Sequence, residues 1–109
     1  MKILQYDDSF KDEVISLILD IQNNEAGINL SLAEQPDLSD ITGAYMAGGG
    51  NFWVAVDAGG QLIGTLALMM LGDGWAVLKK FFVRSDYRSH GVGLALYEVL
   101  LDHASRHRV

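Results

Sequence analysis

Val83-Arg84-Ser85-Asp86-Tyr87-Arg88-Ser89-His90-Gly91-Val92-Gly93-Leu94-Ala95 is the stretch on which the reading of this 109-residue sequence turns. An apolar run ends, a short polar loop follows, and two glycines stand where a helical pattern begins. Glycines there let the backbone turn tightly and bring its N–H groups close to a ligand. The first turn of a helix also leaves unpaired N–H donors and carries about half a positive charge. Together these features describe an anion site that suits a pyrophosphate, with Arg88 placed to add a charge-assisted contact. Two nucleotide motifs fail here. A dinucleotide fingerprint needs glycine where Leu96 stands and an acid about twenty residues on; an ATP-type loop needs Lys-Ser or Lys-Thr where Leu94-Ala95 is found.

Working outward, 75–84 reads as a strand, and 61–71 as one that is apolar on both faces and so central in a sheet. Gly72-Asp73-Gly74 joins them. Phe52, Val54 and Val56 alternate with Trp53, Ala55 and Asp57 in a further strand, closed by the turn signal Asp57-Ala58-Gly59-Gly60. The first six residues form a short strand. Phe10, Val14, Leu17, Ile18 and Ile21 then recur at helical spacing, predicting a helix over 9–24. Asp37 or Ser39 caps a second helix running to Met46, and the glycine run 48–50 is expected to be a flexible connection. Leu94, Tyr97, Leu101 and Ala104, with Leu96 and Leu100, mark a last helix over 91–107.

The remaining pattern, Arg-x-x-Gly-x-Gly, resembles the signature of the GNAT (GCN5-related N-acetyltransferase) superfamily. Arg88, Gly91 and Gly93 match it position by position, and Leu78-Lys79-Lys80-Phe81-Phe82-Val83-Arg84 is similar to the family's fourth strand. The resemblance covers essentially the whole chain. It implies an α/β (α+β) fold: a mixed, mainly antiparallel sheet flanked by helices in the order β-α-α-β-β-β-α, as one domain over 1–109. A fifth strand, fourth helix and closing hairpin of the family are then missing after Val109. It also implies acetyl-coenzyme A as cosubstrate and acetyl transfer to a primary amine of a small molecule, amino acid or peptide. Cofactor contacts fall on Phe82, Val83, Arg88, Ser89, His90, Gly91, Val92, Gly93 and Leu94. The Val83 N–H is the expected oxyanion donor. Glu25 is a candidate base, with Glu34 and Asp37 in the same irregular region. A coenzyme A-binding module without catalysis, and a fold completed by a partner chain, stay open as alternatives.

Composition narrows the rest. There is no cysteine, so disulfides, thiolate nucleophiles and cysteine-based zinc sites are excluded. His103 and His107 have a metal-like spacing without a third ligand, so no metal is expected. Residues 1–75 carry two lysines against eleven acids (−9), and residues 76–109 carry six basic residues against three acids (+3). The acidic excess disfavours nucleic acid and weakly favours a cationic amine. Met-Lys-Ile-Leu followed by Asp7-Asp8 is not a signal peptide, and no apolar stretch is long enough to span a bilayer, so a cytoplasmic location is expected. Tyr45, Trp53 and Trp75 are read as core rather than pocket, and Tyr87 and Tyr97 as structural. The free edge of 75–84, beside Phe81 and Phe82, is expected either to dimerise or to aggregate.

Overall fold

A computed structural model describes residues 1–107. Four strands form one antiparallel sheet in the order β1 (Lys2–Gln5), β2 (Asn51–Val56), β3 (Leu62–Gly72), β4 (Trp75–Val83). Between β1 and β2 the chain crosses one face of the sheet as α1 (Lys11–Asp20); after β4 it crosses the other as α2 (Val92–Arg106). The expected α/β (α+β) class and antiparallel sheet are those of the structure.

Both faces of the sheet are covered, which is why β2 is buried at all six positions. On one side Val14, Leu17 and Ile18 of α1 pack with Leu38, Ile41 and Tyr45 over Phe52, Val54, Leu62 and Ala67. On the other, Val92, Leu96 and Leu100 of α2 pack over Trp53, Ala55, Ile63, Leu66 and Leu68. The alternation of β2 thus feeds two cores, Phe52 and Val54 to one and Trp53 and Ala55 to the other. Met69 and Met70 divide the same way. Burying a side chain of the size of Leu96 contributes about 1.5–3 kcal/mol. Gly64 sets how closely α2 approaches: a Cβ there would meet Leu96, Val92 and the Phe82 carbonyl at 3.2 Å.

The first helix starts as a tight turn at Asp8–Phe10, with Asp7 capping the Ser9 amide, and finishes in a wide turn, Ile21–Glu25. There Ala26 donates to the carbonyl of Ile21, five residues back. The second helix is shorter than expected. It consists of a tight turn, Pro36–Ser39, and a wide one, Thr42–Met46, separated where the Asp40 carboxylate accepts from the Gly43 amide. A short acid that bonds nearby backbone competes with regular helix, which accounts for the break. Nor is the glycine run simply loose: Gly50 is buried, and a Cβ on it would lie 2.0 Å from the Leu68 carbonyl oxygen.

The β3–β4 pairing is interrupted. Thr65 faces Phe82 and Ala67 faces Lys79, so Leu66 stands opposite both Lys80 and Phe81. This is a β-bulge, with Lys80 at φ 53°. The remaining edge of β4 has no strand beside it among the described residues.

Candidate functional site

The loop singled out in the sequence links the end of β4 to the start of α2. A tight turn, Ser85–Tyr87, leads into Arg88–Gly91. Ser89 and Gly91 both have positive φ, 65° and 80°. The left-handed conformation at Gly91 immediately precedes α2, and no side chain caps the helix. Its first main-chain bond runs from the Ala95 amide to the Gly91 carbonyl. The amides of Val92, Gly93 and Leu94 have no acceptor among the described residues, so a first turn of bare donors faces outward. Val92 itself anchors the turn by burying its side chain, while Ser89, His90 and Leu94 are exposed. His90 Nδ1 lies 2.9 Å from the Arg88 carbonyl oxygen.

Beside this turn lies a cleft of about 310 Å³ lined by Ile21, Phe81, Phe82, Val83, Arg88 and Gly93. Arg84 donates its amide to Ile63 across the β3–β4 ladder at 2.8 Å. In an antiparallel pair such residues alternate with ones whose N–H and C=O point away, so Val83 turns its peptide groups outward. A Cβ on Gly93 would meet the Phe81 ring at 3.5 Å, an ordinary contact. Packing inside the chain therefore does not demand glycine there; its absence of a side chain clears the floor of the cleft.

Arg88 crosses this cleft. Its Nε donates to the Val83 carbonyl at 3.0 Å and its Nη1 lies 2.7 Å from Glu25 Oε1. Two residues expected to act separately, on phosphate and on amine, are thus joined in an ion pair that is a third to a half exposed.

The other candidate acids are placed differently. Glu34 is exposed and accepts from the Ser31 amide and hydroxyl, contacts that hold its carboxyl below its usual value. Asp37 faces inward, where it accepts from the Tyr45 hydroxyl and lies 3.5 Å from Lys80 Nζ. Burial, then the bond to Asp37, raises the Tyr45 hydroxyl well above the usual range, so it stays protonated. Lys80 Nζ also donates to Gln35 Oε1 at 2.7 Å. Gln35 and Gln22, both buried, exchange amide hydrogen bonds of 2.8 and 3.0 Å. Lys80, Gln22 and Gln35 did not stand out in the sequence. The available signal was a glutamine directly after Ile21 on the buried face of the first helix.

Tyr45 and Trp53 are core residues as expected, whereas Trp75 is 74% exposed at the start of the open edge strand. Tyr87 donates to Asp57 at 2.9 Å and carries the Arg84 guanidinium over its ring, while Tyr97 is largely exposed. His103 stacks on His107 and approaches the Gly49 carbonyl. Among the described residues no three metal-ligating side chains come together, and no helix is long and apolar enough to cross a membrane.

The acetyltransferase (GNAT) family model matches residues 15–109. The chain is 33% identical over 93 residues to "Probable N-acetyltransferase 14" of Xenopus tropicalis, a match covering 84% of this chain and 45% of that protein. It spans between a third and under half of the length of the curated relatives it matches. A crystal structure of an acetyltransferase of the GNAT family from Staphylococcus aureus superposes with a TM-score of 0.96 at 34% identity, covering 99% of this chain and 68% of that one. The phosphinothricin acetyltransferase of Sinorhizobium meliloti, solved with acetyl-coenzyme A, shares the fold at a TM-score of 0.77 and 15% identity, over 96% of this chain and 60% of that one.

Proposed function

The chain belongs to the acetyltransferase (GNAT) family, and on that premise we propose that it binds acetyl-coenzyme A in the Arg88 cleft and passes the acetyl group to a primary amine. The observation that carries this reading is the left-handed Gly91 at the head of α2. It leaves the amides of Val92, Gly93 and Leu94 unpaired beside the outward-facing peptide of Val83. The pyrophosphate lies over residues 88–93, taking its charge from those amides, the helix end and Arg88. The pantetheine arm runs along Phe82 and Val83 as an added strand would.

In the reaction a neutral amine attacks the thioester carbonyl, the N–C bond forms, and the C–S bond breaks with its electron pair on sulfur. The proton lost by nitrogen has to reach a base, and sulfur has to regain one. The Val83 N–H is the proposed donor to the carbonyl oxygen as it gains charge; one fixed amide in such a place is worth a few kcal/mol, roughly 3. Glu25 is the proposed base, and the amine enters from the side of the irregular segment. The acceptor is a small molecule, amino acid or peptide, and the setting is the cytoplasm. The edge of β4 that no strand among the described residues covers, where Trp75, Val77, Leu78 and Phe81 are exposed, is the proposed surface for a second copy of the chain.

One observation favours a second reading, in which the chain binds coenzyme A without catalysis. All three candidate acids are already engaged by neighbours: Glu25 by Arg88, Glu34 by Ser31, Asp37 by Tyr45 and Lys80. Isothermal titration with acetyl-coenzyme A tests the site, and thiol release in the presence of amines tests the transfer. Heat of binding without thiol release selects the second reading; no binding rejects both.

A further inference from the structure

The bulge in β4 is held from two opposite directions. Lys80 sits at φ 53°, a conformation that residues with a Cβ rarely adopt and that persists only where the surroundings over-determine it. From β3, the fully buried Thr65 donates its hydroxyl to the Lys80 carbonyl at 2.8 Å. From the irregular segment, Gln35 and Asp37 hold the ammonium of Lys80, whose side chain is only 13% exposed. Lys79, one residue earlier, has no comparable tether and is exposed. A surface lysine needs none of this.

We propose that Lys80 is a positioning residue for acyl transfer: its two anchors fix the bulge, and the bulge fixes the path of Phe81–Val83 and with it the outward peptide groups of Val83. This rests on the function proposed above. The placement explains why Lys80 acts through the backbone. Its ammonium points to Gln35 and Asp37, and its side chain is not part of the cleft lining, whereas the next three residues of the strand, Phe81, Phe82 and Val83, all are. A bulge changes strand twist and re-aims the residues beyond it. Fixing it places a donor before the reaction begins, the condition under which a hydrogen bond counts most in a transition state.

The test is Lys80→Met, which keeps the apolar stem and removes the ammonium, alongside Lys80→Arg and Thr65→Val. With acetyl-coenzyme A and a saturating amine, Lys80→Met is expected to lower kcat about tenfold or more while its KM for acetyl-coenzyme A moves less than about threefold. Lys80→Arg is expected to recover part of the loss. Amide hydrogen exchange by NMR reads the same proposal without activity: exchange of the Phe82 and Arg84 amides, which face β3, rises in Lys80→Met while the amides of Leu96–Leu100 in α2 stay as they were. If Lys80→Met does not fold, Thr65→Val removes the other anchor and carries both measurements. Wild-type kcat together with unchanged exchange overturns the proposal. If even the wild-type protein transfers no acetyl group, the function proposed above fails, and the exchange measurement still decides whether Lys80 sets the bulge.

Discussion

The two banks of the cleft present a ligand with different kinds of atoms. On the α2 bank the groups on offer are main-chain amides, bare because a helix starts there, and aimed by the dihedral angles of Gly91 and Ser89. On the α1 side, behind the residues that line the cleft, the polar groups are side chains, and they are already matched with one another: Gln22 with Gln35, Asp37 with Tyr45 and Lys80, Glu25 with Arg88 of the cleft itself. One bank carries amides that have no acceptor among the described residues. The other carries side chains that already have partners. Readiness therefore belongs to the backbone, and whatever is switchable belongs to the Glu25–Arg88 pair that ties the banks together.

The sharpest way to break this contrast is to alter the amide bank. Gly91→Val forces a β-branched residue to φ 80° and fills the open space over the turn. Coenzyme A affinity by titration calorimetry is expected to fall about thirtyfold or more, some 2 kcal/mol; unchanged affinity would remove the amides from the site. Arg88→Ala is expected to do less, because it takes away one charge-assisted contact and leaves the amides. A loss of roughly 1–2 kcal/mol is expected, about five- to thirtyfold in Kd, and complete abolition would place the side chain above the backbone.

Glu25→Gln sharpens the comparison from the other side. It frees Arg88 from a competing carboxylate, and an exposed pair of this kind is worth at most about 1 kcal/mol. Coenzyme A should bind about two- to fivefold tighter while kcat falls; weaker binding together with wild-type kcat would show that Glu25 neither restrains Arg88 nor serves the amine.

The smallest effect concerns what steadies the loop itself. Backbone hydrogen bonding from Gln61, then the Tyr87 hydroxyl, holds the Asp57 carboxyl below its usual value. A lowered carboxyl contributes stability above its unfolded pKa and loses it as pH falls through the folded one. Melting temperatures should therefore drop more steeply in the wild type than in Asp57→Asn as pH falls below the ordinary carboxylate range. Parallel curves would mean that the charge on the Asp57 carboxylate, held by Gln61, Tyr87 and Gly59, does not stabilise the fold.

How much of the molecule is readable from its sequence divides along the same line. Gly91, Gly93 and Arg88 were legible because the demands they meet are local: a positive φ, a bare floor, and a charge one turn before a helix. The strands were legible by period, and the two-sided burial of β3 by apolar residues on both of its faces. Lys80 was not. Its partners Gln35 and Thr65 lie 45 and 15 residues away, and a bulge leaves no mark in a run of nine strand residues. Trp75 misled for a related reason: a large ring implies burial only if its face of the strand is covered, and among the described residues most of β4 is left exposed. The short second helix turned on Asp40, whose side chain bonded the backbone instead of leaving the helix to run on.

The Gln22–Gln35 pair has a consequence of its own. Two neutral amides, buried and bonded head to tail, carry no net charge for protons to titrate or for salt to screen. The half-exposed Arg88–Glu25 pair is open to screening by salt. Raising the ionic strength should therefore slacken the ion pair across the cleft while the seam between the first helix and the irregular segment keeps its geometry. Of these two tethers, the exposed ion pair answers to salt, and the buried pair of amides does so far less.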